Sequence, residues 1–314
     1  MKREAVEATK QARERADKLL DREHIPPVHK AYLEMSGGFL LGLSRLFRGR
    51  TRERLALPTA PEIGRLVISP GTAVSQALVW AKRSFPLISE SVGGALALTT
   101  QVTLEEGLRS VGATMRVLVK SPTPLDDSAR VARIIKMHLR ELEAMREHAA
   151  VNVAGDIHAA LAKRLRSLPG DSRVSDLISL TGDVLDGEWW RIERIVRTET
   201  SRTYNTAVHT AIQDIAKSPE FAGLHGRWTE HVDDLTGRPL DNRVARDSLS
   251  LHGQVARPGG SFVMPAGANV PQQFLGGSWS HPPNRPNDRA VLTPWMHAWG
   301  IPAWMIRAGR RVSM

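Results

Sequence analysis

Two histidines and a carboxylate in the last third of the chain, His252, His281 and Asp233, are residue types that ligate metals or pass protons near neutral pH. Their spacing does not build a metal site, because no two histidines stand four apart as a chelating pair on one helix would. They read instead as a hydrogen-bonded structural cluster, and no metal is expected. Glu199 is the second candidate. It falls on the apolar stripe of a helix, between Val196 and Thr203, where a carboxylate is costly unless a cation or donors meet it. Arg197 is two residues away and points to another side of the helix, so the expected partner is an Arg or His of a different segment. Held in that way, Glu199 would clamp the helix to the C-terminal region. The chain has no cysteine, which excludes disulfides, thiolate zinc sites, iron–sulfur clusters and a cysteine nucleophile. No glycine-rich phosphate loop follows a strand, and no cofactor is expected.

The 43 basic and 33 acidic side chains leave a net charge of +10. That excess favours phosphate-bearing or acidic partners and is silent about fold. Half of it lies in the first 60 residues, where 13 basic side chains stand against 8 acidic ones. The densest run is Arg45, Arg48, Arg50, Arg52 and Arg54, opposed only by Glu53. It suits a solvated helix end or linker, or else a contact to nucleic acid or an acidic protein, since the arginine fork binds two phosphate oxygens at once. Near the end, Trp299 and Trp304 precede Arg307, Arg310 and Arg311, a mixture that stacks on bases or anchors a protein interface. Trp295 is expected in the core. Trp299 and Trp304 are expected at an interface, because Pro294, Gly300 and Pro302 break any long helix around them. No membrane span is expected: the charge-free residues 66–81 number 16 and include polar residues, Pro and Gly, where about 20 apolar ones are needed. The first 22 residues alternate charges and lack the apolar centre of a secretory leader.

Elements must position these residues, and up to about residue 218 the chain reads as helix. After Pro122 and Pro124, with Asp126 or Asp127 as N-cap, apolar residues recur at Val131, Ile135, Leu139, Leu142, Met145, Ala149, Val153, Ile157, Leu161 and Leu165. Spacings of three and four mark one amphipathic face. Leu168-Pro169-Gly170 stops the run after roughly 40 residues, or about 60 Å of helix. A second long helix is expected over residues 186–217, with Trp189, Ile192, Val196, Thr203, Ala207, Ala211 and Ile215 as its stripe. Beyond Pro219 lysine disappears and Gly, Pro, His and Trp become frequent. Residues 227–232 read as a strand and 233–239 as a polar loop. Residues 240–252 read as a short helix opened by Asp241 and closed by Gly253 as a left-handed cap. Extended pieces follow at 254–257, 261–265 and 289–295. The expected class is α+β: an extended, mostly helical N-terminal region with long helices, then a small C-terminal α+β domain. The divisions are residues 1–120 (helical), 121–218 (long helices) and 219–314 (small domain).

Four features then occur in order. Arg197-Thr198-Glu199-Thr200 sits on a helix with Tyr204-Asn205 soon after; Trp228 on a strand leads to Asp233-Asp234. His252-Gly253 closes a short helix, and Phe262 precedes His281-Pro282-Pro283 and Pro286-Asn287-Asp288-Arg289 before a terminal strand. In this order, across roughly residues 186–295, the chain resembles the phage head morphogenesis proteins, minor head proteins related to the F protein of phage Mu. The motif positions are Arg197, Glu199, Tyr204, Trp228, Asp233, His252, Gly253, His281, Pro283 and Arg289. One departure matters. Many members carry an asparagine–cysteine–arginine–cysteine run near the end, and Asp288 and Ala290 stand in its cysteine places here. Any metal site that needs thiolates is absent, which favours a structural module over a metal enzyme.

The resemblance implies a non-enzymatic minor head component of a tailed phage or prophage, associated with the portal protein and the procapsid or major capsid protein. It implies a place inside the virion head, reached from the bacterial host cytoplasm during assembly. Packaged double-stranded DNA would be met without sequence preference, because no base-reading motif is present. The alternative is an enzyme of nucleotide-modifying or nuclease type that uses Arg197, Glu199, His252 and His281, since Arg197 with Glu199 is similar to the arginine–glutamate pairs of nucleotide-modifying toxins.

Overall fold

Among the described residues, the apolar periodicity of the long segments becomes long helices, and the Gly- and Pro-rich remainder becomes a small sheet region. The computed structural model describes residues 3–19, 23, 25–48, 70–119, 123–169, 174–232, 238–241, 244, 246–265, 277–285 and 288–296. The helices are α1 (Arg3–Lys18), α2 (Ile25–Arg48), α3 (Pro70–Val119), α4 (Ser128–Arg166) and α5 (Val174–Ile215). After them come β1 (Leu224–Thr229), α6 (Arg246–Leu251), β2 (Val255–Ala256), β3 (Phe262–Val263), β4 (Ser278–Trp279) and β5 (Val291–Met296). The class is α+β, mostly helical before a small C-terminal sheet region. Among the described residues no helix is long and apolar enough to cross a membrane.

Of the two carboxylates offered as the cap of α4, Asp127 takes the role. Its Oδ1 accepts the amides of Ala129 (2.9 Å) and Arg130 (3.3 Å), two donors that the first turn leaves unsatisfied. Its expected face is buried at Leu142, Val153, Ile157, Leu161 and Leu165, and Pro169 follows its end. The second long helix differs from expectation at its start. It begins at Val174 rather than at residue 186. Asp186-Gly187 has the chemistry of a start, yet Leu177, Thr181, Val184 and Leu185 are buried ahead of it at helical spacing. Their burial outweighs the roughly 1 kcal/mol that a glycine costs inside a helix.

The chain forms two compact units, each discontinuous in sequence. One comprises residues 26–97 and 144–193. There the buried Tyr32 hydroxyl donates to the Leu185 carbonyl at 2.5 Å, and the His29 and Tyr32 rings lie 4.2 and 5.6 Å from Trp189. The other comprises residues 1–25, 98–143 and 194–314 and holds the sheet. β1 is its centre, with the antiparallel order β2-β1-β5. β1 and β5 pair over their whole length, from Leu224 opposite Met296 to Thr229 opposite Val291. The strand expected at residues 227–232 thus starts three residues earlier, at Leu224. β3 and β4 form a separate antiparallel pair. The first helix joins this unit: Arg13 donates to the Val232 carbonyl at 3.0 Å, and the Ala12 carbonyl accepts the Tyr204 hydroxyl at 3.4 Å.

The short helix is also shorter than expected. It spans Arg246–Leu251, and Asp241 does not open it, being engaged instead by Arg289. Its close is as expected. Gly253 has φ 84°, a left-handed conformation that a side chain disfavours. Its amide donates to the Trp228 carbonyl at 2.8 Å, and the Trp228 amide donates to Gln254 at 3.0 Å. The cap therefore feeds the chain straight into β2.

Close packing makes two glycines of α3 respond in opposite directions. A Cβ at Gly107 would stand 2.8 Å from the Ala207 Cβ and 2.9 Å from the Tyr204 carbonyl oxygen. At Gly112 the nearest atom, the Leu125 Cβ, would be 3.9 Å away. Gly107→Ala is expected to destabilise by about 1–3 kcal/mol. Gly112→Ala should stabilise by roughly 0.5–1 kcal/mol. Urea unfolding of both variants checks the pair, and equal signs would refute the packing account.

Candidate functional site

Asn205 makes the central polar contact of the sheet-bearing unit. It is fully buried on α5, where its amide nitrogen donates to the Ala290 carbonyl (3.1 Å) and to Ser201 on its own helix (2.9 Å). Its amide oxygen accepts the Leu292 N–H at 2.6 Å. One side chain therefore serves two backbone groups of the β5 segment, as a neighbouring strand would. Tyr204, beside it, is buried and reaches back to α1.

A second buried network lies under β1 and α6. Trp228, fully buried, donates its Nε1–H to Glu230 Oε1 at 2.6 Å and meets Phe262 edge-on at 5.4 Å. The Ser248 hydroxyl contacts the same Glu230 oxygen and also Asp288 Oδ1 at 3.0 Å. Asp288 further accepts the amides of Asn284 and Ala290, both at 3.2 Å. Desolvation pushes its carboxyl up to about 6, against the pull of those bonds and of Arg285. His252 is buried and accepts the Glu230 N–H on Nδ1 at 2.9 Å, which places its proton on Nε2. Arg289 is buried and pairs with Asp241 at 2.5 Å.

Glu199 departs from expectation. Its partner is not an Arg or His of another segment but Arg202, one turn along the same helix, at 2.8 Å. The i,i+3 spacing lets the two meet. Burial raises the Glu199 carboxyl despite the arginine. The clamp expected of Glu199 is made by Asn205 instead. Arg197 is half-buried on α5. His281 bonds different groups from His252. Its Nδ1 donates to the Pro282 carbonyl (2.7 Å) and its Nε2 accepts from Thr206 (3.4 Å). Its ring lies 5.4 Å from that of His209, whose Nε2 accepts from Gln213 at 2.9 Å. His138, on α4, bonds Thr210 at 2.7 Å. Burial first, then His281 and His138, hold His209 down to about 4, and burial lowers His281 too.

Pro283 is half-buried and joined to Pro282 by a cis bond. Trp295 is buried, as expected of a core residue. Arg45 is exposed near the end of α2, and Arg48 lies in its last turn. Asp233, Arg50, Arg52, Arg54, Trp299, Trp304, Arg307, Arg310 and Arg311 lie outside the described residues. Among the described residues no group of three or more His, Cys, Asp or Glu side chains could hold a metal ion. Compared with known proteins, the chain matches no family model, no curated protein and no solved structure.

Glu230 and Ser248 are not among the residues that the sequence singles out. A signal for Glu230 was present: it stands two residues after Trp228, and alternate residues of an extended segment share a face. Asn205 stands in the Tyr204-Asn205 motif, but nothing local points to its role, because its sheet partners are backbone groups more than eighty residues away.

These contacts rank the two α5 residues. Asn205→Ala leaves the Leu292 N–H and Ala290 carbonyl buried without their side-chain partner and is expected to cost about 2–4 kcal/mol. Glu199→Gln, at a partly exposed pair, should cost under about 1 kcal/mol. Thermal melts compare them, and amide exchange at Leu292 should accelerate only in the first. A Glu199 loss equal to that of Asn205 would reverse the assignment.

Acid and base titrations pull in opposite directions. The raised Asp288 carboxyl favours the folded state below the ordinary carboxylate value near 4 and loses that advantage as pH rises to about 6. The depressed His209 favours folding above the usual imidazole value near 6.5 and loses it as pH falls to about 4. Between pH 4 and 6, stability should rise with pH more steeply in Asp288→Asn than in the unaltered chain, and less steeply in His209→Gln. Each difference is of order 2–3 kcal/mol, and parallel pH–stability curves for all three proteins would refute it.

Proposed function

We propose that this chain is a minor head protein of a tailed phage or prophage, and that its sheet-bearing region is a structural module. The observation that carries the reading is the use of the resembling residues. Trp228, His252, Gly253, Phe262 and Arg289 are buried and serve internal contacts. Asp288 and Ala290, at the family's cysteine places, are buried as well, and Asp288 accepts from Asn284 and Ala290 and contacts the Ser248 hydroxyl. Hydrogen bonds thereby occupy a place where a thiolate would stand, which is what a domain that needs stiffness rather than chemistry requires.

In this role the chain associates with the portal protein and the procapsid or major capsid protein during assembly in the bacterial cytoplasm. It ends inside the virion head, beside packaged DNA. The net charge of +10 suits that surrounding and demands no base recognition. The enzyme alternative needs Arg197, Glu199, His252 and His281 to meet one substrate. Supporting the structural reading, His252 is held by the Glu230 backbone while His281 is held by Thr206 and Pro282.

Co-expression with candidate portal and major capsid proteins, followed by mass spectrometry of purified particles, tests the role. The expected result is a few copies per particle, lost when the portal is omitted. A chain that stays free in the lysate would overturn the reading.

A further inference from the structure

We propose that a cavity of about 730 Å³ between the start of α4 and the end of α5 binds backbone phosphates of nucleic acid, which reach it along a basic stripe on α4. The site lies within one compact unit. The inference rests on the proposed place beside packaged DNA for the source of the phosphates, whereas the cavity and its charges stand independently of it.

The cavity is lined by Arg130, Arg133, Thr210, Gln213, Asp214 and Lys217, among others. Arg130 and Lys217 both pair with Asp214, so two cations share one carboxylate and the trio keeps a positive charge. The other lining carboxylate, Asp127, faces the positive end of the α4 dipole and accepts its first amides. Arg133 has no acidic partner among the described residues. The polar floor offers donors of the kind that bind phosphate oxygens. Gln213 gives one amide hydrogen to His209 and keeps a second for a ligand. Thr210 stands beside it, fixed by His138.

Beyond the cavity, Arg133 continues into Lys136 and Arg140, all exposed. Steps of three and four residues put the three on one helix face, and none of them is ion-paired among the described residues. They run for about 10 Å along the axis. A single small anion would occupy the cavity and leave this row unused. A chain of phosphates uses both, which favours a polynucleotide backbone over an isolated phosphate. The row is evenly cationic and ends where Glu143 follows. Such a surface reads charge and no base identity.

The test uses the full chain and a labelled random-sequence duplex, with anisotropy titrations over a range of salt. The Arg133→Gln/Lys136→Gln/Arg140→Gln variant is compared with Lys163→Gln/Arg164→Gln/Arg166→Gln, which removes the same charge from exposed residues at the other end of α4. The first should bind about tenfold or more weakly near 0.1 M salt, with a salt slope shallower by about 2–3; the second should lose far less. An Arg133→Lys/Arg140→Lys variant keeps the charge and should keep most of the affinity, with melting temperatures confirming that each variant folds. Equal losses in the two glutamine variants would reduce the effect to net charge and overturn the site. So would an unaffected first variant, or an unaltered chain that does not bind duplex. Loss of portal capture by the first variant without any duplex binding would reassign the stripe to an acidic protein partner. Incorporation into particles is read separately, so failure here leaves the minor head reading distinguishable.

Discussion

A buried side-chain amide has four hydrogen-bonding positions to satisfy and little water to help, and Asn205 meets that demand with groups that themselves need partners. Among the described residues β5 is an edge strand: β1 pairs with it on one side and no strand on the other. An open edge presents unpaired N–H and C=O groups that invite association or cost desolvation. By taking the Leu292 N–H and the Ala290 carbonyl, Asn205 closes that edge from a helix. The geometry of α5 is then set relative to the sheet, and the rest of its buried face follows. Ala207 is small enough for α3 to approach at Gly107, while Val208, Ile212 and Ile215 join one core with Leu224, Trp228 and Trp295.

The polar groups beneath the sheet follow a stricter logic. Ser248 has one hydroxyl hydrogen, yet its oxygen contacts carboxylate oxygens of both Glu230 and Asp288. Both contacts can be hydrogen bonds only if one carboxyl carries a proton. Desolvation of Asp288 raises its carboxyl in the direction that supplies it. The site thus favours a protonated acid, while the histidines on the Thr206–Gln213 face of α5 favour the neutral imidazole. One system resists base and the other resists acid. Both effects come from burial, which disfavours the charged form of each group.

Much of this was legible in the sequence, and the limits have physical causes. Long periodic faces such as that of α4 repeat their message over many turns, so the class, the α4 cap and its Pro169 stop are readable. Gly253 was readable because a left-handed cap demands little else. The start of α5 was not, because Asp186-Gly187 is a local signal and the burial of Leu177 and Val184 is a tertiary one. Asp241 failed as a helix cap for the same reason: Arg289, distant in sequence, claims it. The apolar stripe puts Glu199 on the correct face, but its burial suggests a distant partner although Arg202 stands within one turn. Two-residue strands such as β2, β3 and β4 carry too few side chains for alternation to be seen, and their existence depends on pairing.

The burial of the resembling residues also constrains where recognition can occur. Trp228, Glu230, Ser248, His252, Asp288 and Arg289 all lie beneath the surface, so a partner cannot read them directly without opening the domain. They can affect binding only by holding the fold in place. In the proposed reading, contact falls to exposed cations such as Arg133, Lys136 and Arg140, which make no ion pair among the described residues. A surface on which Arg133, Lys136 and Arg140 stand exposed without ion pairs among the described residues can bind an anionic partner electrostatically without altering the core. Such binding would respond to ionic strength over a Debye length of about 10 Å at 0.1 M salt, while the buried network would respond to proton concentration. The two dependences therefore separate experimentally, because salt acts on the surface and pH between 4 and 6 acts on the interior.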